Sequence, residues 1–142
     1  MSILWSVIAG AAMSLQGVIN TRLSDKTGLF ESNVFVQGTA FLAALIVMFV
    51  FGKGDITKIT SVSPVYLTGG ILGIIITVTV MLGIGGLSPT VSISIILISQ
   101  LTVAALIDAF GILGTEKAPF SIYKYIGLAM MIGGVLLFKL KQ

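Results

Sequence analysis

An apolar run at residues 89–113 constrains this chain more than any other feature, because it carries Gln100 near its middle and Asp108 toward its end. A helix of about 20 residues crosses the hydrocarbon core of a bilayer, so the run is long enough to span a membrane. An acid inside such a helix costs roughly 2.5 kcal/mol or more to insert. We therefore expect Asp108 to face protein or a water-filled cavity. The alternative is an interfacial acid at the helix end, close to residues 115–117.

The rest of the chain is equally apolar. Its 142 residues are 56% hydrophobic and only 9% charged, with a mean hydropathy of +1.15, which is not the composition of a soluble domain. The apolar runs are continuous over about 20 residues instead of alternating over about 10, so they predict helices and not a membrane barrel. We expect an all-α integral membrane protein with five transmembrane helices in a single transmembrane domain, residues 1–142. The predicted helices lie at about residues 2–21, 30–51, 65–82, 89–113 and 122–140.

Several function classes are excluded by composition. The chain has no cysteine and no histidine, which rules out disulfides, thiolate metal sites, histidine bases and serine-histidine triads within it. The net charge of +3 is small and dispersed among loops, unlike a nucleic-acid interface. No nucleophile is paired with a base, so we expect neither an enzyme nor a bound cofactor or metal. The basic residues are typical of anchors that contact lipid headgroups.

Polar side chains inside the predicted helices are the candidate binding groups, because polar residues at membrane depth are functional candidates. Gln16 and Asn20 are four residues apart and share a helix face, and in the fourth helix Gln100 and Asp108 fall within one broad sector. The predicted substrate-binding residues are Gln16, Asn20, Gln37, Ser92, Ser99, Gln100 and Asp108. The alternative is structural: amides that hydrogen-bond neighbouring helices, worth about 0.6 kcal/mol each, and hydroxyls that bond their own backbone.

The positive charges give no preferred orientation. Five helices place the termini on opposite sides, and each side then holds four lysine or arginine residues. They are Lys53, Lys58, Lys117 and Lys124 on the amino-terminal side and Arg22, Lys26, Lys139 and Lys141 on the other. Because orientation follows the lysine and arginine bias, we expect insertion both ways up and an antiparallel homodimer. The alternatives are one dominant loop, or a partner chain that selects the orientation.

Such a dimer would combine polar groups from both copies. Inverting the partner brings its Asp108 to the depth of Gln16 and Asn20, with Gln100 near the centre. This is the inverted-repeat arrangement of secondary transporters, whose site lies near the bilayer midplane.

The sequence also resembles a known family. The motifs are LQGVIN at 15–20, the glycine-rich third helix, SQLTVAALIDAFG at 99–111 and PFSIYKYIGLAMMIGGVLL at 119–137. Together they resemble the small five-helix, YdcZ-type members of the drug/metabolite transporter superfamily. Ser99 stands where many such sequences have glycine. The small multidrug resistance transporters, which are similar, have an essential glutamate in helix 1 that this chain lacks.

The resemblance implies half of a ten-helix, inverted-repeat transporter in the plasma or inner membrane of a bacterium. We expect a secondary-active small-molecule transporter that works by alternating access as a dual-topology dimer. Its partners would be membrane lipid, an inverted copy of itself, a small-molecule substrate, and a coupling proton or cation at Asp108. The alternative is a non-transporting membrane subunit, or one half of a heterodimeric transporter with a paralogue.

Overall fold

The computed structural model describes residues 1–118 and 121–140 of the chain. Within this part every regular element is a helix, which confirms the all-α prediction. Two short 3₁₀ helices, Ile56–Ser61 and Pro64–Thr68, lie between the second and third α-helices. The α-helices are α1 (Ser2–Thr27), α2 (Leu29–Phe51), α3 (Gly69–Gly86), α4 (Pro89–Phe110) and α5 (Ile122–Lys139). Lys141 and the side chain of Lys139, both used in the charge count, lie outside the described part.

Four helical segments are long and apolar enough to cross a membrane. They are Ser2–Thr27, Leu29–Phe51, Pro64–Gly86 and Pro89–Phe110. The apolar segment Ile122–Phe138 of α5 is shorter, close to the lower limit of about 17 residues for a spanning helix. The chain is therefore a multi-pass membrane protein, and a fifth crossing by α5 stays a prediction. Many large apolar side chains point outward, as expected for a lipid-facing surface.

We predicted that the first helix ends at about residue 21 and that a loop follows. This prediction is wrong, because α1 continues to Thr27. Arg22 and Asp25 lie three residues apart on this last part of the helix and form an ion pair at 3.6 Å. The helix ends at Gly28, whose φ of 99° is a conformation that favours glycine. The Gly28 N–H donates to the Ser24 carbonyl at 3.0 Å, and α2 begins at the next residue. Polarity alone therefore did not mark the helix end.

Two further predicted boundaries are corrected. We expected the third helix to end at about residue 82, but α3 stays helical through Gly86, and Ile84 within this added stretch is buried. The fourth helix ends at Phe110 instead of residue 113, because Gly111 adopts a left-handed conformation with φ of 63°. The predicted start of α4 is confirmed: Pro89 is the first residue, and the Ser88 hydroxyl accepts a hydrogen bond from the Val91 N–H at 3.4 Å.

The contacts divide the chain into two compact units, Met1–Gly86 and Leu87–Gln142. In the first unit α1, α2 and α3 all pack against one another. Gly17 on α1 provides the closest approach to α3, because a Cβ at this position would lie 2.9 Å from Ile84 Cδ1 and 3.0 Å from Val80 Cγ1. Met81, on the same part of α3, is among the few fully buried large side chains.

The second unit is a pair of packed helices, α4 and α5. Val91 and Ser92, in the first turn of α4, are its buried residues among those described. The connection between the two helices includes Gly111 and Gly114, both with positive φ. The Ala118 N–H donates to the Asp108 carbonyl at 2.8 Å, so this connection folds back onto the last turn of α4.

Candidate functional site

In the first unit, Gln37 is placed by a contact between α2 and α3. Its Nε2 donates to Thr77 Oγ1 at 3.3 Å, and Thr77 Oγ1 donates in turn to the Gly73 carbonyl at 2.8 Å. A Cβ on Gly73 would lie 3.7 Å from Gln37 Nε2, so the amide lies over a glycine that leaves room for it. The Gln37 side chain remains partly exposed. It therefore links two helices and still presents a polar surface.

The two predicted binding residues of α1 have different environments. Gln16 is exposed, whereas Asn20 is only 6% exposed. Neither side chain hydrogen-bonds another residue in the part of the chain that the structure describes. The neighbouring Thr21 is buried as well, and its hydroxyl donates to the Gly17 carbonyl at 2.8 Å. The Asn20 amide is therefore buried in the packed part of the unit without a described hydrogen bond, while Gln16 faces outward.

A third amide side chain, which the sequence did not single out as a site residue, lies at the start of α2. Asn33 is 7% exposed, and its Oδ1 is buried without a hydrogen-bond partner among the described residues. Ser32 beside it is bonded twice, to Thr27 Oγ1 and to the Gly28 carbonyl, both at 2.7 Å. The described part of the first unit supplies no hydrogen-bond donor to Asn33 Oδ1. A buried acceptor left in this way costs the folded protein about 1–3 kcal/mol of stability.

In the second unit, the polar residues of α4 fall into two groups. Ser94 donates to the Thr90 carbonyl and Thr102 to the Ile98 carbonyl, as expected of hydroxyls that bond their own helix. The hydroxyls of Ser92 and Ser99 make no hydrogen bond to a described residue. The amide of Gln100 makes none either, and Gln100 and Ser99 are exposed while Ser92 is buried. The two serines predicted to bind substrate are thus the two whose hydroxyls are not used by their own helix.

Asp108 is paired with a residue that the sequence marked only as one of the positive charges on the amino-terminal side. Lys124 Nζ lies 3.8 Å from Asp108 Oδ2, and the side chains of Lys124 and Asp108 are 42% and 48% exposed respectively. Both line a cavity of about 300 Å³ between α4 and α5, whose other walls are apolar. The carboxylate therefore lies in the last turn of α4, about half exposed and beside this cavity.

The structure pairs two of the predicted residues with side chains that were not predicted. Asp108 meets Lys124, and Gln37 meets Thr77, but no described hydrogen bond joins two of the seven predicted residues to each other. One signal in the sequence pointed to Lys124. Asp108 lies three residues before the glycine that ends α4, and Lys124 lies three residues after Ser121, which precedes α5. Equivalent positions on an antiparallel helix pair lie at the same level. No comparable signal pointed to Thr77 or Asn33.

The described residues contain no group of three or more histidine, cysteine, aspartate or glutamate side chains that could hold a metal ion. The polar groups of the candidate site are amides, hydroxyls and one ion pair between helices. Groups of these kinds can bind a solute by hydrogen bonds and charge.

A comparison with protein families places this chain in one of them. The family model described as "Putative inner membrane exporter, YdcZ", of the drug/metabolite transporter type, matches residues 1–137. A comparison with curated proteins and one with solved structures gave no match.

Proposed function

This chain belongs to the YdcZ family of inner membrane exporters, and on that basis we propose that it moves a small molecule across the membrane as a secondary-active transporter. The family match, which covers nearly the whole chain, is the observation that carries the proposal. It establishes a membrane-embedded transporter family and not an enzyme family. The exposed amides and unbonded hydroxyls of the membrane helices supply the polar contacts that a solute needs.

The working unit in this proposal is an antiparallel homodimer, with two copies inserted in opposite orientations. The supporting observations are the even division of lysine and arginine between the two sides and the presence of five apolar helices, half the number in a ten-helix transporter. An inverted pair has equivalent entrances on both sides, so one binding site can open to either side at equal energy. That symmetry is the physical basis of alternating access.

The seven residues predicted from the sequence are proposed to line the substrate pathway. The first unit contributes Gln16, Asn20 and Gln37, and the second contributes Ser92, Ser99, Gln100 and Asp108. Two kinds of observation support this assignment. Gln16, Ser99 and Gln100 are exposed polar groups on apolar helices, and the hydroxyls of Ser92 and Ser99 are not bonded to the described backbone. We propose that Asp108, whose charge Lys124 balances, also takes up the coupling proton or cation.

A transport assay on a mixture of solutes does not require the substrate to be identified first. Purified protein is reconstituted into liposomes loaded with a defined mixture of amino acids, organic acids, organic cations and sugars, and efflux is followed by mass spectrometry. We expect at least one solute to leave faster than from protein-free liposomes, and Gln100→Leu to slow that efflux. The matched control is Ser94→Ala, because the Ser94 hydroxyl is bonded to its own helix. Identical efflux from all vesicles would contradict a transport function.

One observation favours the second candidate, a non-transporting subunit or a half of a heterodimer. The Gln37 amide already links α2 to α3 through Thr77, as a purely structural amide would. This candidate predicts that the chain purifies with a paralogue and transports nothing alone. Efflux that appears only when the paralogue is added would support the heterodimer.

A further inference from the structure

The cavity in the second unit combines an ion pair with apolar walls. Its volume of about 300 Å³ lies at the small end of ligand sites, which are roughly 300–1,000 Å³, so it suits a small molecule. Leu101, Leu128 and Met131 provide apolar walls, and Asp108 and Lys124 provide the charges. A ligand that fits this cavity has both an apolar part and a polar part.

Helix stability does not explain where the two charges lie. Asp108 is in the last turn of α4, where the helix dipole disfavours an acid. Lys124 is in the first turn of α5, where the dipole disfavours a base. Exchanging the two residues would keep an ion pair between the helices and would suit both dipoles better. The placement of the acid on α4 and the base on α5 therefore needs an explanation other than helix stability.

The distance between the charges leaves room for a ligand to bond both. Nζ and Oδ2 are 3.8 Å apart, beyond the roughly 2.7–2.9 Å of a charge-assisted hydrogen bond, so the two groups attract without direct hydrogen bonding. A ligand with one charge that separates the pair leaves the opposite charge without its ionic partner, to be compensated only by water at a half-exposed side chain. A ligand with an ammonium and a carboxylate compensates both.

We infer that this cavity binds a small zwitterion of the amino-acid type, with its ammonium on Asp108 and its carboxylate on Lys124. Its apolar side chain packs against Leu101, Leu128 and Met131. The inference rests on the proposed transport function and names the class of substrate for it. Lys124 becomes a binding residue that determines specificity, and the orientation of the ligand follows from the polarity of the ion pair.

Three ligands of similar apolar size show how much each charge of the ligand contributes to binding. They are L-leucine, 4-methylpentanoate, which lacks the ammonium, and 3-methylbutylamine, which lacks the carboxylate. Their affinities for the purified full chain are measured by competition with radiolabelled leucine. We expect leucine to bind at least about tenfold more tightly than either analogue, the usual effect of losing a hydrogen bond to a charged group.

Substitutions should then mirror the ligand changes. Asp108→Asn is expected to weaken leucine binding by about tenfold or more and to strengthen binding of the carboxylate analogue, because Lys124 then no longer leaves an ion pair. Lys124→Gln should have the converse effect, with weaker leucine binding and stronger binding of the amine analogue. The control Asp25→Asn removes the ion pair to Arg22 on α1 and should leave all three affinities unchanged.

The exchange variant, Asp108→Lys with Lys124→Asp, distinguishes an ion pair that binds ligand from one that only stabilises the fold. We expect it to unfold at the same temperature as the wild type or higher, and to lose leucine binding by about tenfold or more. Wild-type leucine affinity in this variant, or equal affinity of the wild type for leucine and its singly charged analogues, would overturn the inference. Efflux of a solute from another class, with no leucine binding, would leave the proposed transport function standing and refute the zwitterion alone.

Discussion

The contact between α1 and α3 at Gly17 allows a stability change to be worked out before it is measured. A Cβ added at Gly17 would lie 2.9 Å from Ile84 Cδ1 and 3.0 Å from Val80 Cγ1, against about 3.5–4.0 Å for an ordinary carbon contact. Ile84 is buried, as is Met81 on the same part of α3, so its retreat is limited by packing. Overpacking of this kind costs about 1–3 kcal/mol.

The same substitution also gains helix propensity, and a second glycine on α1 measures that gain alone. No atom lies within 4 Å of a Cβ at Gly10, so Gly10→Ala should stabilise the protein by at most about 1 kcal/mol. Gly17→Ala combines this gain with the overpacking cost. We therefore expect the two variants to differ in free energy of unfolding by about 1–3 kcal/mol, with Gly17→Ala the less stable.

The assay is unfolding in detergent by titration with sodium dodecyl sulfate, followed by the fluorescence of Trp5, the one tryptophan in the chain. Gly17→Leu should be more destabilising than Gly17→Ala, because a larger side chain has to fit against α3. Equal shifts of stability for the Gly10 and Gly17 variants would refute the close approach of α1 and α3.

Two other contacts yield predictions of the same kind. A double-mutant cycle with Gln37→Leu and Thr77→Val should give a coupling energy of about 0.6 kcal/mol, typical of hydrogen bonds between membrane helices, and zero coupling would contradict the contact. In the polar segment after α2, the Thr57 hydroxyl and then the Thr57 N–H donate to Asp55 and lower the pKa of its carboxyl. A carboxyl whose pKa is lower in the folded turn stabilises that turn above its ordinary titration range, and the effect is lost as the pH falls through the lowered pKa. In a carbon-13 NMR titration, Thr57→Val should therefore raise the pKa of Asp55, and an unchanged titration would exclude the hydroxyl as the main cause.

Much of the helical framework could be predicted from the sequence, because continuous apolar runs and the serine-proline start of α4 are local signals. The helix ends were less predictable. The α1 helix passes through the polar residues 22–27, since charges outside the hydrocarbon core are compatible with a helix, and it ends only at the positive φ of Gly28. The end of α4 is likewise set by the left-handed conformation of Gly111, which an apolar pattern does not reveal.

The candidate site was predictable in its residue types and not in its partners. Gln37 and Asp108 could be singled out because each is a polar residue within an apolar predicted helix. The side chains they meet, Thr77 and Lys124, depend on how neighbouring helices rotate and pack, which sequence spacing does not determine. The burial of Asn33 has the same origin, because an asparagine near the start of a helix is ordinary until a packed helix covers it.

If this chain works with an inverted copy of itself, each of its loops must face both sides of the membrane in a population of cells. The chain has no cysteine, so Gly54→Cys and Leu87→Cys each introduce a single thiol without changing the charge balance. The two positions are proposed to lie on opposite sides of the membrane. With a membrane-impermeant maleimide on intact cells, we predict that roughly half of the molecules of each variant are labelled. Complete labelling of one variant and none of the other would contradict the antiparallel dimer.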